Sequence, residues 1–90
     1  RRIHTDFGMA AVVNAPQVDI SETLAHLLEI RPEAAFSVGW WQRADGLFQH
    51  GLRSRPDSDI DVSVIAKTFG GGGHKHAAGF QVDAPVWIKK

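Results

Sequence analysis

Phe69-Gly70-Gly71-Gly72-Gly73-His74-Lys75-His76-Ala77-Ala78-Gly79-Phe80 is the stretch from which the rest of this chain can be read. Four successive glycines are costly in a folded domain, because glycine loses more backbone freedom on folding than any other residue. Such a run is kept where the backbone must take a positive φ, or where something must come close to the main chain. It can also serve as a linker or as the cap that follows a helix. A linker is flanked by polar, structureless sequence. Here an amphipathic segment runs in, and a strand-like segment from Gly79 to Val82 runs out. Exposed backbone N–H groups beside His74, Lys75 and His76 suit an anion, above all a phosphate.

Outward from this stretch, composition sets the bounds. The 90 residues suffice for one small domain. Hydrophobic residues make up 43% and charged residues 22%, ordinary for a globular chain. The formal net charge is zero, so an anion site must be local rather than the product of a global field. Without cysteine there are no disulfides or thiolate metal ligands, which fits a cytoplasmic location. No apolar run approaches the roughly 20 residues of a membrane span. The chain opens on Arg1 without a Met and closes on Lys89-Lys90, as expected of a piece of a longer protein.

Upstream of the glycines, residues 1–7 are polar and read as a frayed terminus or a linker remnant, with the domain proper at 8–90. Met9 to Val13 reads as a buried strand stopped by Asn14-Ala15-Pro16. Asp19 or Ser21 can cap a helix on which Ile20, Leu24, Leu27 and Leu28 form one apolar face. Pro32 ends that helix, and His26 points away from its apolar side. Ala34 to Arg43, with Phe36, Val38, Trp40 and Trp41, reads as a strand. Asp45-Gly46 is a hairpin signal, and Leu47 to Ser54 is the return strand. Phe48, His50 and Leu52 alternate there with Gln49, Gly51 and Arg53. Adjacent Trp40 and Trp41 must face opposite sides, one of them towards the core; base stacking is open to either.

Asp59 or Asp61 caps the next helix, whose apolar face is Val62, Ile65, Ala66 and Phe69. After the glycines come a strand at Phe80 to Asp83, a break at Ala84-Pro85 and a short strand at Val86-Trp87-Ile88. The sum is an α/β or α+β domain. It has a mixed sheet of about five strands, two main helices and a glycine-rich loop after the second. Two arginines and a hydroxyl at Arg53-Ser54-Arg55 can clamp a phosphate or simply end a strand in water. His74 and His76 lack the carboxylates a metal site would add.

Leu52-Arg53-Ser54-Arg55, Asp61 to Phe69, Gly70 to His74 and Ala77-Ala78-Gly79-Phe80 together resemble the C-terminal domain of the DHH phosphoesterases. That family includes nano-RNA-degrading enzymes, cyclic dinucleotide phosphodiesterases and RecJ-type exonucleases; a related module occurs in alanyl-tRNA synthetases. The resemblance implies a substrate-binding domain of a hydrolase whose separate catalytic domain carries paired manganese ions and an Asp-His-His signature. This chain has no Asp-His-His triplet, so no catalytic or metal residue is expected in it, and it is expected to be inactive alone.

By motif position, Arg53 and His74 would contact the terminal phosphate of a short oligonucleotide or related nucleotide. Gly72 and Gly73 would let it approach the backbone, and Ser54 or Arg55 would assist. A terminal phosphate carries about two charges against one for an internal diester, so a compact cationic pocket prefers ends. The partners implied are that nucleotide and the catalytic domain. Alternatives are a non-catalytic RNA-binding module and a homodimerising module in which the glycines only allow close packing.

Overall fold

The computed structural model describes residues 2–5, 7–14 and 20–84. In chain order these form β1 (Arg2–Thr5), β2 (Gly8–Asn14), α1 (Ile20–Ile30), β3 (Phe36–Gln42), β4 (Phe48–Arg53), α2 (Val62–Thr68), β5 (Gly72–His74) and β6 (Ala77–Val82). The strands make one mixed sheet in the order β1-β2-β3-β4-β6-β5. The expected α+β architecture with two helices is present, with six strands among the described residues. The strand expected at Val86-Trp87-Ile88 lies outside them, as does Asp19.

Parallel strands cannot be joined by a tight turn, and β2 and β3 are parallel, so α1 supplies the crossover. Leu24 and Leu28 of α1 are buried against the sheet, while His26 is exposed beside Glu29. The Ser37 hydroxyl of β3 donates to the Leu24 carbonyl at 3.0 Å and ties the helix to the sheet. Ser21 falls inside α1 and is not its cap.

β3 and β4 pair antiparallel through the expected turn. Gly46 takes φ 90°, a region open to glycine at little cost. Asp45 Oδ1 accepts from Leu47 N at 3.0 Å, which closes the loop. Phe48, His50 and Leu52 then fall on one face of β4 and Gln49, Gly51 and Arg53 on the other.

The Phe48 face carries the main core. Phe36, Val38, Leu52 and Phe80 from the sheet meet Val62, Ile65 and Ala66 of α2. Trp40 faces this side and lies 5.9 Å from Phe48, ring centre to ring centre. His50 stacks on Phe80 at 4.5 Å, and Phe80 stacks on Phe69 at 4.6 Å. This column binds the end of α2 to the middle of the sheet. α1 covers the opposite face with a smaller cluster of Ala11, Leu27, Leu28 and Ala34.

Two sequence expectations are corrected. Residues 2–5 do not fray; they pair antiparallel with β2. The outer edge of β2 has N–H and C=O groups that need partners, and Thr5 closes the turn by donating from its hydroxyl to Gly8 O at 2.7 Å. The glycine run is not one loop. Gly72 to His74 is a strand, and β6 begins at Ala77, so only Lys75-His76 turns between them.

Burial holds the His50 imidazole below its ordinary pKa by penalising the charged form. The native state therefore binds this proton less readily than the unfolded chain. Its contribution to stability is whole above about pH 6.5 and is lost as pH falls towards the depressed folded value. Denaturant melts from pH 7.5 down to 5 should show stability falling with pH, with a shallower fall in His50→Phe.

Candidate functional site

The glycine segment is built by opposing demands at its two ends. Asp61 caps α2, its carboxylate accepting from Ser63 N at 3.0 Å and from the Ser63 hydroxyl. These bonds, led by the hydroxyl, hold its pKa below the ordinary carboxylate value. At the other end, Gly70 takes φ 86°. Gly70 N donates to Lys67 O at 3.1 Å and Gly71 N to Ala66 O at 2.9 Å. This is the paired-bond helix ending that favours glycine in the left-handed region.

Gly71 and Gly73 answer a different need. A Cβ on Gly71 would lie 2.2 Å from Gly79 O, and one on Gly73 would lie 2.5 Å from Ala78 Cα. β5 can lie against β6 only without those side chains. Gly72 points the other way, and a Cβ there would meet nothing within 4 Å.

Strand register assembles the site on the α1 side of the sheet, beyond the helix. Arg53 pairs with Ala77, and Ala77 pairs with His74. The three residues form one row across β4, β6 and β5 on a single face. Arg53 and His74 stand two strand spacings apart, roughly 10 Å, with only the Ala77 methyl between them. In the next row Gly51 pairs with Gly79, and Gly79 with Gly72. A groove of about 360 Å³ runs over these residues, lined by Arg53, Gly51, Gly72, Gly79, Gln49 and Leu24 among others. His74 is exposed on the edge strand.

Ser54 and Arg55 are placed differently. Ser54 is buried, and its hydroxyl donates to Ile60 O at 2.8 Å and lies 2.8 Å from His76 Nδ1. Ser54 N also donates to His76 O at 3.1 Å, and Val62 N donates to Lys75 O at 2.8 Å. The Lys75-His76 turn is thereby locked to the end of β4 and the start of α2. The Arg55 guanidinium donates to Ala34 O, Leu28 O and Arg31 O at 2.6, 2.9 and 3.0 Å. It closes the carboxyl end of α1, where carbonyls lack helical partners and a cation is favoured. These hydrogen bonds run inside the fold, yet Ser54 and Arg55 also line, with Arg53 and His76, a second cavity of about 390 Å³ beside Pro56 and Asp57.

Gln49 was not singled out by sequence reading, although it lines the groove. Strand alternation alone places it beside Arg53; only pairing with β6 shows what it borders. Among the described residues, no group of three or more His, Asp or Glu side chains is arranged to hold a metal ion. Nor is any helix there long and apolar enough to cross a membrane.

Three substitutions separate framework from groove. Gly73→Ala forces a side chain onto φ 147° and into Ala78, and should cost roughly 2 kcal/mol or more in chemical denaturation. Gly72→Ala should change stability by under about 0.5 kcal/mol. Arg55→Ala removes the guanidinium from three carbonyls, of which Arg31 O keeps Ala34 N as a donor, and should cost about 2 kcal/mol. Its thermal unfolding midpoint should fall clearly below that of the starting protein.

Comparison with known proteins gives similarity in structure alone. No protein-family model matches the chain, and no curated protein matches it in sequence. An uncharacterised protein from Helicobacter pylori shares the fold with a TM-score of 0.71 at 21% identity, over 93% of this chain and 22% of that one. A pGpG-specific phosphodiesterase from Vibrio cholerae superposes with a TM-score of 0.52 at 18% identity, over 62% of this chain and 20% of that one. The chain thus spans about a fifth of the length of either structure.

Proposed function

We propose that this chain is the substrate-binding domain of a DHH-type phosphoesterase, gripping the terminal phosphate of a short oligonucleotide or related nucleotide. The observation that carries this reading is the row Arg53–Ala77–His74. Arg53 and His74 stand on either side of Ala77, two strand spacings apart, and Arg53 and Ala77 line the end of a glycine-floored groove. Arg53 supplies a fork of donors that matches phosphate oxygens. His74 adds a second donor and, when protonated, a second charge. Gly72 leaves the backbone of β5 open to close approach. The chain is neutral overall, so a binding energy concentrated in this row favours a doubly charged phosphate end over the length of a polyanion.

Hydrolysis in this reading belongs to a separate metal-bearing domain. By fixing one end of the substrate, the groove sets which phosphodiester reaches the metals, which selects short substrates. Ser54 and Arg55 take part by holding the β4 end and α1 in place. The phosphodiesterase neighbour supports a nucleotide-related role by fold analogy.

The test is titration with a 5′-phosphorylated dinucleotide and its unphosphorylated twin, followed by backbone amide shifts in NMR. Shifts should centre on Arg53, Gly72, Gly73, His74 and Ala77, and only with the phosphorylated ligand. Arg53→Ala and His74→Ala should each weaken binding by about tenfold or more. Equal response to both ligands, or undiminished binding in both variants, would overturn the reading.

A further inference from the structure

The second cavity, of about 390 Å³, opens between α1, the residues that follow β4 and the Lys75-His76 turn. Its volume lies within the range of small-ligand sites. Ala25, Leu28 and Glu29 stand on it at the three- and four-residue spacing that puts side chains on one face of a helix. Leu28 is buried and Ala25 half-buried, and Pro56 adds an apolar ring from the loop. These three give the cavity an apolar wall.

The charges around that wall are sorted by depth. Arg53, Arg55 and His76 are half-buried, whereas Glu29 and Asp57 are exposed and rim the mouth. Two guanidinium groups balance two carboxylates. A simple anion would be repelled by the rim, and a simple cation by the arginines. A ligand that is neutral overall but carries both charges meets neither penalty.

Some of these groups are already engaged. The Arg55 guanidinium holds three carbonyls at the end of α1. The Ser54 hydroxyl donates to Ile60 O, so its oxygen accepts from His76 Nδ1, 2.8 Å away. That bond sets the tautomer of the neutral imidazole and leaves Nε2 as an acceptor. Asp57 makes no side-chain hydrogen bond to another described residue. Among the described residues Glu29 meets His26 Nδ1, at 3.5 Å. The groups left for a ligand are therefore acceptors at His76, Asp57 and Glu29, which suit the three N–H bonds of a primary ammonium. Arg53 offers the opposite chemistry, a fork of donors for a carboxylate.

We propose that this cavity binds an aliphatic α-amino acid. Its carboxylate lies on Arg53, its ammonium between Asp57, Glu29 and His76 Nε2, and its side chain against Ala25, Leu28 and Pro56. An α-amino acid carries these three groups on one carbon, which matches a cavity whose donors, acceptors and apolar wall all face one space. The site does not rest on the phosphate-gripping reading, although Arg53 lines both cavities.

The test is NMR titration of the chain with leucine and with two analogues that each lack one charge, isocaproate and isopentylamine. Shifts should centre on the amides of Ala25, Leu28, Asp57 and His76. Leucine should bind about tenfold tighter than either analogue, in keeping with hydrogen bonds to charged groups. The double variant Glu29→Gln, Asp57→Asn changes two exposed side chains and should keep the thermal unfolding midpoint. It should weaken leucine about tenfold and leave isocaproate no weaker. Arg53→Ala should weaken leucine and isocaproate but not isopentylamine. An analogue that binds as tightly as leucine would overturn the proposal. So would leucine affinity that is unchanged in the double variant or in Arg53→Ala. Absence of a saturable shift with leucine at millimolar concentration would overturn it as well, and would leave the dinucleotide titration to decide the phosphate grip on its own.

Discussion

The glycine segment and β6 lie too close together for side chains at Gly71 and Gly73, and much of the rest is arranged around that contact. At Gly71 and Gly73 a side chain would run into the main chain of β6. Removing those side chains lets a three-residue strand form at the edge of the sheet directly after a helix. The same closeness brings His74 into line with Ala77 and Arg53. A longer or bulkier connection would set the edge strand off from the sheet and break the row.

Such a tight hairpin needs support, and its turn receives it from two directions. Carbonyls of Lys75 and His76 accept from the first N–H of α2 and from Ser54 at the end of β4. On the core side, the stack of His50, Phe80 and Phe69 fixes β6 between the sheet centre and the end of α2. The glycines lower the steric barrier, and burial of aromatic surface supplies the drive. This also explains the division of the sheet into two faces. α2 covers one face of β5 and β6 and reaches β4, whereas α1 packs on β3 and β4 on the other face. The strip that α1 leaves open is the groove.

The run Arg53-Ser54-Arg55 shows how unlike adjacent residues become once folded. Arg53 is the last residue of β4 and lines the groove. Ser54 faces the opposite way, into the junction of hairpin turn and helix. Arg55 has left the strand, and its guanidinium reaches the carboxyl end of α1. A motif that reads as a single anion clamp is distributed over three tasks. Two of them hold in place the elements that carry the third.

Local chemistry made much of the fold legible in the sequence. Alternation in Phe48 to Arg53 placed the core face, Asp45-Gly46 placed the hairpin, Asp59 and Asp61 marked the start of α2, which Asp61 caps, and the 3.6-residue spacing of leucines set the buried side of α1. Each of these signals acts within a few residues, so no knowledge of distant chain is required. The strand character of residues 2–5 and of Gly72 to His74 was not legible, because neither segment has apolar alternation of its own. Their conformation comes from partners, the open edge of β2 in one case and β6 in the other. The alignment of Arg53 with His74 and of Gln49 with Gln81 depends likewise on the register between β4, β6 and β5. That register is set by non-local pairing, in which a slip of one residue would turn every side chain to the other face. The sequence by itself thus determined the elements and the chemistry of their side chains. Only the tertiary structure decided which of those side chains meet, because backbone pairing and close packing between distant segments select one alignment among many that local signals allow.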